Sequence, residues 1–295
     1  MNLPLDIPAL ISAATDIDAA RNTPLAVSVF LDETAPGDVV GHVRSAFASA
    51  GARTRVTLGY LEEGVAPEPY GADDMAVIVA GASPSIGAAA AHIRSAGIPV
   101  MVVATAPAAV SRAAEAAGFP IPEGDLVAPH MTDPPPLGDA AATLSRRLTA
   151  GGTESRPAEA PAALEALEHA VPAEEAPAGA EPIALDEEAA ATLDRRMGEW
   201  IIAACRDKKL AFALAFPFVR RPLSLDAVRA TAIQNAGVGV VVFIPGADMP
   251  IMTLNQAKML LQIAAAYGQP LSAERIKELA AVVGGAFLVR NIART

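Results

Sequence analysis

The sequence predicts an α/β fold: a doubly wound, mainly parallel five-stranded sheet, followed by a disordered linker and an all-α C-terminal domain with a hydrophobic helical hairpin. Three observations lead to this prediction. Three continuous apolar runs in the N-terminal half are typical of strands buried on both faces, as in parallel sheets. Segments of helical length separate these runs. A block rich in proline and glutamate then divides this region from an amphipathic C-terminal part.

The three apolar runs are predicted as the central strands, at 25–31, 75–80 and 98–104. A more polar stretch at 53–60 is typical of an edge strand, and a fifth strand is predicted near 125–128. Strands of this type alternate with helices when the sheet is parallel, because each crossover must return the chain to the same end of the sheet.

The helices that belong to this sheet are predicted at 36–50, 85–96, 107–117 and 137–149. Proline near the start of a helix and glycine just past its end are typical of helix boundaries, and both occur here. The resulting element order indicates a doubly wound sheet of the kind that binds ligands at the carboxyl ends of its strands.

Charge divides the chain into three parts, which we take as an α/β domain at 1–150, a linker at 151–185 and a helical domain at 186–295. The α/β domain carries 8 basic and 16 acidic residues (net -8), the linker carries 1 basic and 7 acidic residues (net -6), and the helical domain carries 13 basic and 10 acidic residues (net +3). These three net charges sum to -11. Five prolines and repelling glutamates in the linker leave little to bury, so disorder is predicted there. The acidic balance and the 4% aromatic content argue against nucleic-acid binding.

The single cysteine, Cys205, excludes an internal disulfide and a cysteine-based zinc site, and it suits a reducing compartment. The N-terminal segment lacks a basic region and is interrupted by Asp6, Asp16 and Asp18, so no signal peptide is predicted. We therefore expect a cytoplasmic location.

The residues that follow the predicted strands are the candidates for a sheet-end site, namely Asp32, Glu33, Ser83 and Thr105. A P-loop would need a lysine after the first strand to neutralise phosphate charge. The segment LDETAPGDVVGHV has no lysine and places acidic residues where phosphates would lie. GTP hydrolysis is therefore not expected, although the domain resembles a GTPase-like fold without its P-loop.

The pair Asp32-Glu33, the segment IPVMVVAT ending in Thr105 and the segment 124–129 together resemble the response-regulator receiver family. The resemblance implies that Asp32 and Glu33 match the magnesium-binding acidic pair of receivers, and that Thr105 matches their switch threonine.

This chain departs from the receiver pattern at two positions. Gly81 or Ala82 stands where receivers carry the phospho-accepting aspartate, and Ala128 stands where they carry a lysine. Phosphorylation needs that carboxylate as nucleophile and that lysine to stabilise charge. The resemblance therefore implies a degenerate receiver that is not phosphorylated in the usual way.

Two other interpretations of the acidic residues stay open. Asp32 and Glu33 interact favourably with the dipole of the helix that follows them. A magnesium-dependent hydrolase would use them together with Asp73 or Asp74, but no nucleophile or base lies at a recognisable spacing. We therefore predict no catalytic, cofactor-binding or metal-ligating residue and no cofactor.

In the C-terminal part, helices are predicted at 186–206 and 249–267, with a last helix opening at Ser272. The apolar segment 210–221 is too short to span a bilayer. The 18 uncharged residues at 230–247 approach that length, but polar residues, glycines and a proline oppose a transmembrane helix. A buried hairpin arm is the alternative.

PFVRR, the segment 244–250 and TLNQAKMLLQIAAAYG resemble the YcjF-like domain of unknown function, over about 190–295. In bacteria this family occurs in inner-membrane proteins or beside Era-like GTPases, so the resemblance implies membrane association through a hydrophobic hairpin and no known reaction. Pro-Gly makes a tight turn and Asp248 caps the next helix. The candidate partner or turn residues are Pro245, Gly246, Asp248, Pro250, Asn255, Gln256 and Lys258, with contacts inside the domain as the alternative.

These observations predict a non-catalytic, membrane-associated adaptor or scaffold at the inner face of the cell membrane. The α/β domain would bind a cytoplasmic protein partner, for which a GTPase is one candidate. The helical domain would lie on the membrane, insert in it or form a homo-oligomer. The alternative is a soluble regulatory module that senses a nucleotide or a phospho-signal.

Overall fold

The computed structural model contains five strands, β1 (Leu25–Asp32), β2 (Thr54–Leu61), β3 (Met75–Val79), β4 (Val100–Val103) and β5 (Leu126–Val127). All of them pair in parallel, in the order β2-β1-β3-β4-β5. The predicted α/β class and the predicted strands are therefore confirmed. The structure describes residues 7–48, 51, 53–62, 67, 72–130, 185–241, 249–270, 275 and 278.

Helices precede, connect and follow the strands: α1 (Ile7–Asn22), α2 (Gly37–Ala48), α3 (Ser85–Ser95), α4 (Pro107–Ala116), α5 (Glu187–Ala204), α6 (Lys209–Ala215), α7 (Pro217–Val241) and α8 (Met249–Ala266). The predicted helices at 36–50, 85–96, 107–117, 186–206 and 249–267 match five of these. The predicted helix at 137–149, the linker and most of the last helix lie outside the described residues.

The strands β1, β3, β4 and β5 are buried on both faces, as continuous apolar strands require. Alternate strand residues point to opposite faces, so β1 contributes Val27 and Val29 to one core and Phe30 to the other. The face of Phe30 is covered by α3 and α4. The face of Val27 and Val29, which we call the α5 face, is covered by α2 and by helices from the C-terminal part.

The C-terminal helices complete the core of the sheet. Leu193, Met197 and Ile201 of α5 are fully buried in one cluster with β1, β3 and β4, and Trp200 is an anchor of the same cluster. Residues 1–129 and 182–295 accordingly form one compact unit. The two segments that the sequence assigned to separate domains thus share a core, because the α5 face of the sheet is covered jointly by α2 and by the C-terminal helices.

Aromatic side chains join α2 to the C-terminal helices. The ring of Phe47 meets the rings of Phe216 and Phe218 edge to face, at centroid distances of 5.0 and 5.3 Å. Phe216 also stacks on Phe212 of α6 at 6.1 Å. Such pairs stabilise by more than their buried area alone.

The N-terminal helix α1 has no counterpart among the predicted elements. Its residues Leu10, Ala14 and Ile17 pack against Ala257 and Leu261 of α8 in a separate small cluster. The apolar spacing of four and three residues is typical of one helix face. The sequence segment therefore carried a helix signal, which we considered only as evidence about a signal peptide.

The predicted hairpin region contains two packed helices, and the turn predicted between them lies mostly outside the described residues. Residues 217–241 make one helix that runs through Pro222, and the predicted arm at 230–247 is helical as far as Val241. The turn residues Pro245, Gly246 and Asp248 lie outside the described residues, and Pro250 lies in the first turn of α8. Over the described ranges, no helix is both long and apolar enough to cross a membrane.

Candidate functional site

The carboxyl end of β1 carries the buried carboxylate of Asp32, which is only 6% exposed. One of its oxygens, Oδ2, accepts two hydrogen bonds, from the Thr34 hydroxyl at 2.5 Å and from the Gly81 backbone amide at 2.8 Å. A turn closes the same loop, since the Ala35 amide donates to the Asp32 carbonyl. The carboxylate is thus held by the loops that follow β1 and β3.

Gly81 lies directly against the loop after β1. A Cβ atom placed on Gly81 would overlap the hydroxyl and the backbone carbonyl of Thr34. No side chain fits at this position without moving the loop. Gly81 is one of the two residues, with Ala82, that the resemblance to receivers would place at the phospho-accepting aspartate.

The other sheet-end candidates have different surroundings. Thr105 is buried, and its hydroxyl has no hydrogen-bond partner among the described residues. The hydroxyl of Ser83 lies 2.8 Å from that of Ser85 and accepts the Ser85 amide, which is a local turn at the start of α3. Glu33 is exposed. Within the part of the chain that the structure describes, no hydrogen bond joins Ser83 or Thr105 to Asp32.

An arginine from the C-terminal part reaches the carboxyl end of β5. The Arg196 guanidinium donates to the Ala128 carbonyl at 2.9 Å. The resemblance to receivers would place a lysine at Ala128, and in this chain a cation from α5 lies beside that residue. No local sequence pattern indicates this contact, because 68 residues separate the two partners.

The structure shows no metal centre within the described ranges, where no group of three or more His, Cys, Asp or Glu side chains could hold an ion. His42 of α2 instead pairs with Asp194 of α5, Nε2 to Oδ1, at 2.7 Å. This contact ties α5 to the helix beside it on the same face of the sheet.

A second polar cluster lies at the opposite, amino end of the sheet. The Asp73 carboxylate accepts from the Ser28 hydroxyl at 2.6 Å and from the Arg55 guanidinium at 2.9 Å. Its neighbour Asp74 accepts from the Ala26 amide and from Lys208. These contacts link three strands to the segment after α5, so both acids have structural partners.

Cys205 lies beside this cluster and is buried. Burial, and then the nearby charge of Asp74, raise its pKa to about 12, against a smaller lowering by Lys208. The thiol therefore stays protonated at neutral pH, and a thiol in that state is a poor nucleophile.

The candidate residues on α8 separate into two kinds. The Asn255 side-chain amide donates to Asn235 Oδ1 of α7 at 3.0 Å, so it joins the two helices. Gln256 and Lys258 are exposed on the surface of α8. Among the candidate residues on α8 whose burial the structure describes, only these last two are exposed.

The geometry therefore shows a doubly wound sheet in which the loop after β1 packs against Gly81 at the end of β3 and Asp32 is engaged in internal hydrogen bonds. A comparison with protein-family models, with curated proteins and with solved structures finds no match to this chain.

Proposed function

We propose that this protein is a non-catalytic adaptor whose α/β unit works by binding a protein partner rather than by transforming a substrate. The observation that carries the proposal is the closure of the sheet end by Thr34 on Gly81. Ligands of doubly wound sheets bind beyond the carboxyl ends of the strands, and this region is where the loop after β1 lies.

The electrostatics of this end also support the proposal. A phosphoryl group needs cations or backbone amides directed at its oxygens. Here the Gly81 amide is already bonded to Asp32, whose negative charge would repel a phosphate. The resemblance to receivers implies an aspartate at Gly81 or Ala82 and a lysine at Ala128, and this chain has uncharged residues at all three positions.

The test is incubation of the full chain with acetyl phosphate, ATP and GTP in the presence of magnesium. We expect no covalent phosphate by intact-protein mass spectrometry, no nucleotide turnover and no rise in melting temperature, since a bound ligand would stabilise the fold by mass action. Turnover that is lost in Asp32→Asn would contradict the proposal. A specific thermal shift without turnover would favour the alternative of a nucleotide- or phospho-sensing module.

Attachment to a membrane surface is the second part of the proposal, and the exposed face of α7 supports it. Arg221, Leu225, Arg229 and Ile233 follow one another at intervals of four residues and form one ridge. The exposed fractions of Leu225 and Ile233 are 41% and 71%, and that of Val228 beside them is 46%. Apolar side chains flanked by arginines suit the interface of an anionic bilayer. The proposed location at the inner face of the cell membrane would bring this ridge to such an interface.

Reversal of one charge on this ridge gives a direct test. Each basic residue near an anionic surface contributes about 1 kcal/mol, so Arg229→Glu is expected to weaken binding to phosphatidylglycerol vesicles about tenfold or more. Vesicle flotation of the full chain measures it. Arg112→Glu on the exposed surface of α4 is the matched control and should bind as the native chain does. Equal flotation of the two variants, or no flotation of the native chain, would count against membrane attachment through α7.

A further inference from the structure

β2 lies at the edge of the sheet, and β1 is its one neighbour among the described strands. The Leu25 amide donates to the Arg53 carbonyl, which fixes which residues face β1. In a parallel ladder alternate residues bond to the same neighbour, so the odd-numbered residues of β2 bond to β1. The even-numbered residues Val56, Leu58 and Tyr60 therefore direct their backbone N–H and C=O groups away from the sheet, whereas the Thr54 amide already donates to the Gly51 carbonyl.

Two of these even-numbered residues carry exposed apolar side chains. Leu58 and Tyr60 are 50% and 69% exposed, and they pair in register with Val29 and Leu31. Their side chains therefore lie on the α5 face, beside α2. A groove of about 560 Å³ runs between α2 and β2, with Val56 and Leu58 on the strand side. Arg44, Ser45 and Ala48 line it from the helix side.

This edge lacks the features by which soluble proteins usually prevent strand pairing. Natural edges carry lysine, proline or inward-pointing charges. Between Thr54 and Leu61 the one charged residue is Arg55, and its guanidinium bonds to Asp73. Among the residues that the structure describes, no strand pairs with the outer edge of β2, and the single charge of this strand is already paired.

The net charge of the chain also indicates which molecule is best suited to pair with the edge of β2. The chain carries a net charge of -11, so two copies repel each other over most of their surfaces. β2 contains no acidic residue, which makes it a stretch where two copies can meet without that repulsion. In an antiparallel pair, outward-facing residues meet outward-facing residues, so Val56, Leu58 and Tyr60 of one copy meet the same apolar set of the other.

We propose that two copies of this chain pair β2 with β2, antiparallel and about a two-fold axis, so that their two sheets become one continuous sheet. The interface is isologous, because each copy offers and receives the same strand. The outward N–H and C=O groups of the even-numbered residues form the new ladder, and the side chains of Leu58 and Tyr60 cover the groove of the partner.

Sedimentation velocity of the full chain over a wide concentration range is the first test, and a reversible dimer is expected. Leu58→Lys and Leu58→Glu should each raise the dissociation constant at least about tenfold, because a symmetric interface contains every substitution twice and places like charges near each other. An equal mixture of these two variants should recover the dimer, since the charges are then opposite. Ile233→Lys makes the same change at an exposed apolar site on α7 and should leave the dimer intact.

Hydrogen exchange separates loss of the interface from loss of the fold. The amides of Leu58 and Tyr60 should be protected in the native dimer, and that of Tyr60 should exchange quickly in Leu58→Lys. The amides of Thr57 and Gly59 face β1 and should stay protected in both. A native chain that is monomeric at every concentration would overturn the proposal. So would a dimer that Leu58→Lys leaves intact, or a mixture of the two charged variants that stays monomeric.

Discussion

A fragment that ends at residue 130 is expected not to fold, although it contains all five strands. The α5 face of its sheet would lose the cover that α5, α6 and α7 provide in the native chain. The side chains removed from that core include six large ones that are at least nine-tenths buried: Leu193, Met197, Trp200, Ile201, Phe212 and Phe216. The fragment would expose the apolar strand residues that these side chains contact.

The size of the lost burial energy, compared with the stability of a whole domain, decides whether the fragment folds. Burial of one such side chain contributes about 1.5–3 kcal/mol, so the six together contribute on the order of 10 kcal/mol. A whole domain is stable by only about 5–15 kcal/mol. The loss is therefore comparable to the entire stability of the unit, and no other described helix can take over the uncovered face.

Circular dichroism during heating measures the effect. The full chain should unfold in a cooperative transition, whereas the fragment should show none and should bind a dye specific for exposed apolar surface. Addition of a second fragment that begins at residue 182 should restore a cooperative transition, because it supplies the missing helices. A cooperative melt of the first fragment alone would show that the α/β region is independently stable.

The sequence predicted the strands well and the role of the C-terminal helices poorly, for one physical reason. Continuous apolar runs are local signals, so β1, β3 and β4 could be placed from their own residues. The amphipathic stripe of α5 also showed that this helix buries one face, but not against which surface. A helix that packs on a parallel sheet usually follows its strand within a few residues. Residues 131–184 instead separate α5 from the segment that contains the five strands, so the sequence did not indicate that α5 packs on this sheet.

The candidate site shows the same division between local and distant information. Strand ends placed Asp32 and Thr105 at the carboxyl edge of the sheet, where the structure has them. The contact between Thr34 and Gly81 joins two loops and is made largely by backbone atoms, so side-chain patterns do not report it. A glycine directly after a buried strand was the available signal, since glycine in such a place permits close approach of another backbone.

Replacement of Gly81 by alanine is expected to lower the free energy of unfolding by about 2–4 kcal/mol, because an overpacked site must shift its neighbours and break their hydrogen bonds. The new methyl group would overlap backbone atoms of Thr34, which cannot rotate away as a flexible side chain would. The loop must move as a whole, and the bond from Thr34 to Asp32 breaks with it. Chemical denaturation of the two chains measures the difference.

Gly41→Ala is the matched control, because a Cβ atom on Gly41 meets no other atom within 4 Å and the residue lies inside α2. There the same change should stabilise the chain by about 0.5–1 kcal/mol, since alanine loses less backbone entropy than glycine in a helix. Opposite signs for the two variants would mean that the loop after β1 is closed on the end of β3 in solution. If Gly81→Ala were as harmless as Gly41→Ala, the sheet end would have room for a ligand, and the adaptor proposal would lose the observation on which it depends.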